Sequence, residues 1–505
     1  MEEIKVFYSD FGAKGDGVTN DFKAMKAAHD YANEIGANAT VYATPKARYY
    51  ISETGGESIT VKTSVNFQGA HVIIDDKAIS PTGPERRAPL FILLREHEMI
   101  ELSEESEELK ALNAACPITP ETKKLPISFG YPAMLIPENS ERKVYIRLGA
   151  DSTSGDSQRE LIVIDEDGNV NEKTPVLIDY EKVTRLLVYR IDDEPIVFEN
   201  VKFTTLANEA PRRYPTYLRN IQINRSNVTV RNLTHYVEGE GEDGAPYSGF
   251  INPRQMNNFL CENCILSAHK TYEMEGRHAY MGSYDIGGED ANELYYKNCS
   301  ERNFFEWGNW GIMGSNYCKN ITYDGCMLSR FDAHAGVYNA TIIDSDLCAI
   351  RLTGGGRFTL KNVKMHSDLL ISLREDFGCT WHGDIEIENV RFFNKGENVY
   401  LFGARLYPHH NFGYQAYFPE NIKIKNVSLR NPGALHFFND PTPGEEYDVT
   451  AERVTVGGEE ILNVNRMILP KNIEIAEIGE NVTEFILSAD KLFASQLESI
   501  IKGNK

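Results

Sequence analysis

Short stretches of alternating apolar and polar residues recur along the chain between residues 196 and 429, and eight of them share one template. In each, apolar or sulfur side chains stand two residues before and one residue after a central bend residue, and usually three after it. The bend residue is Asn in seven stretches and Gly325 in the eighth. The pattern predicts β-strands that are each interrupted by one bend. The stretches are IVFENVKF (196–203), VTVRNLTH (228–235), FLCENCIL (259–266), LYYKNCSE (294–301), ITYDGCML (321–328), FTLKNVKM (358–365), IEIENVRF (385–392) and IKIKNVSL (422–429).

The spacing of the bends defines the repeat. Successive bends are 32, 31, 35, 27, 37, 27 and 37 residues apart, and a degenerate copy, ATIIDSDLCAI, places a further bend near Ser345. A unit of this size cannot bury its inward side chains alone, so the turns must stack and form ladders of like residues. Sandwich strands recur at roughly 8–12 residues and propeller blades at roughly 40–50, and neither period fits. The repeat therefore predicts an all-β parallel β-helix.

Both ends of this solenoid carry a predicted capping helix. Apolar residues follow helical spacing between a cap at Thr19 or Asn20 and Gly36, and strands follow at 40–43 and 49–51. Near the other end, DKLFASQLESIIKG (490–503) has an apolar stripe. Such helices would cover the open edges of the first and last turns. The spaced apolar positions of the first helix are Phe22, Met25, Ala28, His29 and Ala32.

The N-terminal segment resembles a known superfamily. The stretch DFGAKGDGVTND (10–21), the helix after it and the strand pair VYATPKARYYIS (41–52) are similar to the start of pectate-lyase-like proteins. With the repeats, the resemblance covers about 8–75 and 195–460. It implies a right-handed parallel β-helix. It does not imply one reaction, because the superfamily includes pectate lyases, polygalacturonase-type hydrolases, epimerases and phage tailspikes.

The domain organisation follows from where the repeat signal stops. Residues 1–75 form the cap and the first turns, and 76–194, where the signal disappears, form an inserted, mostly β subdomain. The main β-helix with its active face spans 195–460. Closing strands and the second capping helix occupy 461–505.

The repeat register also interprets the cysteines. Cys264, Cys299 and Cys326 stand one residue after a bend, and Cys261 stands two before one, at positions where other turns have apolar residues. A free cysteine behaves as a small hydrophobic residue, so we expect all four in the core. A zinc ribbon needs a second C-x-x-C pair, which the chain lacks. We therefore expect no bound metal and no cofactor.

The net charge and the lengths of the apolar runs exclude some classes of partner. With 52 Lys and Arg against 74 Asp and Glu, the net charge is −22, which disfavours nucleic acid and anionic membranes. No apolar run approaches the ~18 residues of a membrane helix, and the first residues lack the pattern of a signal peptide. We expect a cytoplasmic, phage-borne or mature secreted protein, as a monomer or a homo-oligomer.

We expect the catalytic residues on the outer face, because a packed solenoid interior admits no substrate. Four ionisable residues follow successive bends by six to nine positions and are expected to share one face. Turns stack at ~4.8 Å, which places Glu306 and Asp332 within the ~5–9.5 Å over which two carboxyl groups flank a glycosidic bond. His334 and Arg351 would hold a sugar hydroxyl or carboxylate. The four candidates are Glu306, Asp332, His334 and Arg351.

Candidate substrate-binding residues surround this set. Trp307 and Trp310 offer rings on which sugars stack, and Arg330 precedes Asp332. A long loop at 269–290 could wall a cleft, and a basic strip at 211–237 carries five arginines without an acid, which suits an anionic glycan. A polar segment at 366–384 ranks second. The loop and strip candidates are His278, Tyr280, Asp285, Arg219 and Arg225.

Structural alternatives stand beside these assignments. Asp332 could instead form a salt-bridge ladder with Arg330 or Arg351, and His334 could bond a backbone carbonyl. The loop could be bonded to itself, and the arginines of the strip could pair with acids of the insertion.

These residues predict a carbohydrate-active enzyme that cleaves a polysaccharide or oligosaccharide. The primary hypothesis is a glycoside hydrolase with Glu306 and Asp332 as its carboxyl pair. The alternative is a polysaccharide lyase on a uronate-containing glycan, using His334, Arg351 and Ca²⁺ at Asp344 and Asp346. The chain lacks the Asn-Thr-Asp, Asp-Asp and Gly-His-Gly series of the polygalacturonase-type hydrolases. A tailspike or other non-catalytic glycan-binding protein is the alternative from another class.

Overall fold

A computed structural model describes residues 3–77, 79–147, 153–211, 216–267, 270–274, 279–281, 284–306, 313–404, 415–439, 453–456, 459–462, 468–489 and 491–501. The predicted right-handed parallel β-helix is confirmed, because strands from successive turns pair in parallel and in register. The chain divides into two compact units. The first comprises residues 1–99, 189–314 and 326–329, and the second comprises 100–188, 315–325 and 330–505.

The first unit contains a long parallel ladder. Its inward positions repeat from turn to turn, as in the register series Val41, Val65, Phe198, Val230 and Cys261, all fully or almost fully buried. These apolar side chains build the core that no single turn could form. The ladder strands are Ile4–Phe7, Ala39–Tyr42, Ser64–Asp75, Ile196–Leu206, Val228–Glu238, Ser248–Glu262 and Tyr284–Lys297.

Shorter strands complete the turns of this unit. They pair in parallel with one another and with the long strands, apart from one antiparallel hairpin of Tyr272–Met274 and Ala279–Met281. The parallel short strands are Asp16–Asn20, Arg48–Ile51, Ile59–Val61, Phe91–Leu94, Ile221–Asn224, Ile265–Leu266 and Ser300–Glu301.

The N-terminal helix runs over Phe22–Ile35 and buries the five residues that its spacing singled out. Asp21 occupies the N-cap, and the Asn20 side chain accepts a hydrogen bond from the N–H of Phe22 at 3.2 Å. The backbone N–H of Gly36 closes the last turn on Ala32. Among the described residues, no helix is long and apolar enough to cross a membrane.

The insertion in the second unit has its own antiparallel sheet and an apolar core. This sheet begins at Ile100 rather than at the predicted residue 76, because Phe91–Leu94 still pairs with turns of the β-helix. A helix covers Glu107–Ala114. The strands are Ile100–Ser103, Ala133–Val144, Asp156–Arg159, Ile162–Ile164 and Arg185–Arg190.

The second unit contains two parallel β-helix ladders of its own. The first consists of Lys319–Asp324, Val337–Ile343, Gly354–Met365, Trp381–Phe392, Asn421–Leu429 and Asn472–Ile478. The second consists of Arg330–Ala335, Ala349–Leu352, Leu369–Leu373, Asn398–Gly403, Gly433–Asn439 and Val482–Ile486. The remaining elements are strands Met313–Asn316, Asp346–Leu347, Arg453–Val456 and Glu459–Leu462, and the C-terminal helix Lys491–Ile500.

The bends have the geometry that their asparagines predict. All seven bend asparagines have a positive φ between 51° and 62°, a left-handed conformation that asparagine tolerates better than most residues. Their side chains bond from turn to turn, as where Asn389 Nδ2 donates to Asn362 Oδ1 at 3.0 Å. The degenerate bend lies at Asp344 (φ 50°), one residue before the predicted Ser345, and its carboxylate accepts from Asn362.

Candidate active site

The strand Arg330–Ala335 of the second unit carries a cluster of charged side chains that includes three of the predicted residues, Arg330, Asp332 and His334. Phe331 packs against Tyr323 and Phe358 in the core, whereas Arg330, Asp332 and His334 alternate with these core positions. Asp332 is the register partner of Arg351 on the next strand. Counting from the true bend at Asp344, both residues stand seven positions after a bend.

Asp332 is locked between two guanidinium groups. Its Oδ1 accepts a hydrogen bond from Arg374 Nη1 at 2.8 Å, and Arg330 Nη2 lies 2.9 Å from its Oδ2. Burial acts to raise the pKa of Asp332, but Arg330 and Arg374 outweigh that effect and hold the pKa well below its usual range. The salt-bridge alternative is therefore the one observed, for Arg330. A fully buried carboxylate in this state cannot donate a proton near neutral pH, so of the two roles that a carboxyl pair requires, the geometry opposes that of the acid for Asp332.

Arg374 organises the cluster, although the sequence indicated it only as one polar residue of the second-ranked segment 366–384 and not as a catalytic or binding residue. It also binds Asp376, with Nη2 2.7 Å from Oδ2, and Asp376 receives a second bond from Arg147 at 2.9 Å. The Arg147 and Arg374 guanidinium groups lie 5.3 and 5.2 Å from the ring of Phe377. The only sequence signal was the second-ranked polar segment 366–384, because Arg374 follows Asp332 by 42 residues.

His334 is held as a neutral imidazole. Its Nδ1 bonds Asn316 Oδ1 at 3.0 Å, and because an amide oxygen only accepts, Nδ1 carries the proton and Nε2 is left with a lone pair. Burial first, and then the charge of Arg374, lower the pKa of His334 to about 4. Nε2 is buried and has no hydrogen-bond partner among the described residues. The imidazole is therefore a base whose Nε2 lone pair can accept a proton.

Arg351 is the exposed cation of the cluster. Among the described residues, no carboxylate lies within ion-pair distance of its guanidinium, although Asp332 attracts it at longer range. Four arginines against two aspartates leave a local charge of 4 − 2 = +2, in a chain whose net charge is −22. This local excess favours an anionic group at Arg351.

The acids assigned to Ca²⁺ in the lyase alternative have other partners. Asp344 belongs to the bend ladder, and Asp346 lies 3.3 Å from Lys364 Nζ and 3.0 Å from His366 Nε2. These contacts do not test calcium binding, but the exposed cation at Arg351 offers a carboxylate site that needs no metal.

A second group of ionisable side chains lies in the first unit. Glu306 is exposed and accepts a weak bond from Asn303 at 3.4 Å. Nearby, Glu301 is buried, with its Oε2 bonded to the N–H of Ser329 at 2.7 Å. Burial raises the pKa of Glu301 to about 7, and the charges of Asp285 and Glu306 add to the rise. Because Glu306 and Asp332 belong to different units, their joint action on one glycosidic bond stays a prediction.

The other predicted binding residues are placed as follows. Asp285 is fully buried, with Oδ1 2.6 Å from His235 Nδ1 and Oδ2 accepting from the N–H of Ser267. Trp307, Trp310 and His278 lie outside the described residues, and for Tyr280 only the backbone, in strand Ala279–Met281, is described.

The two arginines of the basic strip are buried. Arg219 Nε donates to Asp76 at 2.8 Å, and Arg225 Nη1 donates to Glu96 at 2.8 Å. The arginines are therefore paired with acids, as in the structural alternative, but both acids precede the start of the insertion sheet at Ile100. Burial to about 1% exposure removes both guanidinium groups from a ligand-binding surface, which corrects their assignment to an anionic glycan.

The cysteines of the repeat are buried, as predicted. Cys261, Cys264 and Cys299 place their sulfur atoms within 4.8 Å of one another. Stacked turns bring like positions together, so a sulfur cluster arises from the ladder itself. Three thiols at this spacing could also hold a soft metal ion, and the expectation that they bind none stays a prediction.

Comparisons with known proteins address the fold. No family model matches the chain, and no curated protein matches it. Its structure is similar to tailspike gp49 of Pseudomonas phage LKA1, with a TM-score of 0.47, 12% sequence identity, and coverage of 96% of this chain and 83% of that one. It is also similar to tailspike gp61 of Pseudomonas phage phi297, with a TM-score of 0.49, 11% sequence identity, and coverage of 95% of this chain and 82% of that one. The A-module of the mannuronan C-5 epimerase AlgE4 of Azotobacter vinelandii is similar too, with a TM-score of 0.40, 12% sequence identity, and coverage of 86% of this chain and 100% of that one. With TM-scores below 0.5, these likenesses decide nothing about function.

Proposed function

We propose that the protein is a polysaccharide lyase that cleaves a uronate-containing glycan by β-elimination at the charged cluster of the second unit. The observation that carries this proposal is the combination of exposed Arg351 with His334, a neutral imidazole whose Nε2 is unbonded among the described residues. An elimination needs both functions, a cation for the uronate carboxylate and a base for the adjacent proton.

In the proposed reaction the uronate carboxylate pairs with Arg351, which makes the proton on C5 more acidic. His334 Nε2 takes that proton, the C5–H electrons form a C4=C5 double bond, the C4–O4 bond breaks, and the departing oxygen takes a proton from solvent. The bound carboxylate also offsets the positive charge of Arg374, which helps to keep the pKa of His334 low. The base therefore strengthens when the substrate binds.

Asp332 has a positioning role in this scheme. By pairing with Arg330 and Arg374, it fixes the cluster beside His334 without itself transferring a proton. This arrangement favours elimination over the predicted hydrolysis by Glu306 and Asp332, because Arg374 and Arg330 occupy both carboxylate oxygens of Asp332 and leave neither for a proton transfer or an attack on a sugar.

Matched variants test the proposal on polygalacturonate and alginate, with unsaturated product followed by ultraviolet absorbance. His334→Ala should lower kcat by about 10²–10⁴-fold, the usual contribution of a general base. Its control is His366→Ala, which changes a histidine outside the cluster. Arg351→Gln should raise KM by roughly 10–100-fold, as expected for a lost bond to a charged group, whereas exposed Arg357→Gln should not. Unchanged kinetics in both cluster variants on a cleaved substrate would place the site elsewhere.

A second candidate function, glycoside hydrolysis, is favoured by one observation in the first unit. Glu301, with a pKa raised to about 7 by burial, retains a proton near neutral pH as a general acid must, and exposed Glu306 lies close enough to raise that pKa. In this alternative Glu301 protonates the leaving oxygen and Glu306 acts as nucleophile or base.

Glu301→Gln separates the two candidates. It removes the titrating proton and nearly preserves the shape of the side chain, so a hydrolase would lose most of its turnover, whereas a lyase acting through His334 would keep it. Release of saturated sugars that depends on Glu301 would support hydrolysis and contradict the lyase proposal.

A further inference from the structure

The second unit contains a cleft of about 280 Å³ that the proposed chemistry does not use. It is lined on one side by residues of the insertion and on the other by β-helix turns. The lining includes Tyr145, Gln158, Tyr338, Gly355, His382 and Tyr417. Its volume lies just below the roughly 300–1,000 Å³ that is usual for small-molecule sites, so it fits one or two sugar rings rather than a protein segment.

A stacked pair of rings forms one wall. The rings of His382 and Tyr417 lie 4.0 Å apart at an interplanar angle of 18°, and His382 is exposed. Two further tyrosines line the cleft, and the hydroxyl groups of Tyr145 and Tyr338 are 3.1 Å apart. Flat rings with hydroxyl groups at their edges suit a sugar, which presents an apolar C–H face and a polar rim.

A buried amide supplies an unused acceptor. Gln158 is 2% exposed, and its Nε2 donates to the carbonyl of Asp179 at 3.0 Å. Its Oε1 is buried without a hydrogen-bond partner among the described residues. Buried polar atoms are nearly always bonded, so this oxygen is poised for a donor such as a sugar hydroxyl.

Three consecutive glycines belong to the lining of the cleft. Gly354, Gly355 and Gly356 follow one another on it, and a Cβ at Gly355 would approach the carbonyl oxygen of His382 to 2.4 Å. Close stacking of the turns thus requires glycine at this point, so this part of the lining consists of backbone atoms.

The charge of the cleft differs from that of the catalytic cluster. Among its lining residues Arg142 and Asp179 carry formal charges of opposite sign, which sum to zero.

The cleft adjoins the catalytic cluster. The ring of Tyr145, which lines the cleft, lies 6.4 Å from the ring of Phe377, and the ring of Phe377 lies 5.7 Å from that of His334.

We propose that this cleft binds a neutral sugar residue of the same glycan, next to the uronate that is bound at Arg351. The inference rests on the proposed function for the identity of the chain that enters. Binding of a neutral ring, however, depends only on the stacked pair, the Gln158 amide and the glycines of the lining.

Two measurements test this site on the full chain. The first is calorimetric titration of the His334→Ala protein with cellotetraose, xylotetraose and mannotetraose. At least one should bind, and Tyr417→Ala should weaken that binding about tenfold or more, whereas Tyr400→Ala, outside the cleft, should not. If none binds, or if both tyrosine variants bind equally, the proposal is overturned. This arm requires no turnover, so it is independent of the lyase proposal.

The second measurement compares substrates. For a glycan that alternates uronate with neutral sugar, Tyr417→Ala and Gln158→Leu should raise KM and leave kcat nearly unchanged, whereas KM for a homopolymeric uronate should change little. The Gln158→Leu result counts only if this variant melts at the same temperature as the unmodified protein. If it does not, the test depends on Tyr417→Ala alone. Equal losses on both substrates would overturn the proposal of a neutral-sugar site.

Discussion

For single residues, the cluster around Asp332 shows which contacts a sequence repeat predicts and which it does not. Turn counting placed Asp332 and Arg351 on neighbouring strands, because a repeat fixes which positions stack. It did not find Arg374 as the partner of Asp332, since that pairing depends on the conformation at 374–377, after the strand ends. Whether a carboxyl group is exposed or locked by two arginines is decided by such irregular segments.

Replacing Asp332 by Asn should destabilise the protein by about 3–5 kcal/mol, the usual cost of removing one partner of a buried ion pair. Arg330 and Arg374 would then repel each other without a countercharge. Urea unfolding measures the loss, and exposed Arg357→Gln serves as the control. A variant with native stability would show that the pair does not hold the cluster together.

The pKa of His334 predicts an unusual acid limb in the pH–rate profile. Because its folded-state pKa is depressed to about 4, the ring stays neutral and basic as the pH falls through 6, and protonation removes the base only near pH 4. The profile of kcat/KM should therefore be flat between pH 7 and about 5 and fall below that. A limb centred near 6.5, the ordinary histidine value, would contradict the assigned environment.

At the scale of the elements, the asparagine bends are where sequence and structure agree most closely. Alternation predicts the strands and Asn predicts the left-handed bend between them, and both signals are local. The boundary of the insertion was less predictable. Phe91–Leu94 is one short apolar strand without a bend motif, and only its pairing with distant turns assigns it to the β-helix.

Asn389 offers a matched test of the bend. Its φ is 54°, and its side chain bonds Asn362 on one side and Asn426 on the other. Asn389→Gly and Asn389→Ala both lose the ladder bonds, but only Ala must adopt a left-handed conformation. We expect Ala to be less stable than Gly by about 1–2 kcal/mol in urea unfolding. Equal stabilities would mean that the bend can relax.

The three clustered cysteines should bind no metal and should not react with thiol reagents in the folded protein. Cys261, Cys264 and Cys299 are buried in the core of the stacked turns, so a thiol reagent should label them only in denaturant, and purified protein should hold no stoichiometric zinc. Mass spectrometry after labelling and elemental analysis check the two statements. One zinc per chain would instead make the triad a metal site.

At the scale of the whole molecule, the repeat predicted the fold, because the bend period and core ladder recur on many turns. The reaction was not predictable in the same way, since a shared fold carries many chemistries. It depends on a few side chains that meet across turns, such as His334 with Asn316.

The mass balance of the cleavage reaction distinguishes elimination from hydrolysis. A purified uronate oligosaccharide is digested with the full chain, and the products are weighed by mass spectrometry. Elimination adds no water, so the product masses should sum to that of the substrate, one product should carry a C4=C5 double bond, and His334→Ala should abolish both. Products that together weigh one water more, without the double bond, would contradict the lyase account.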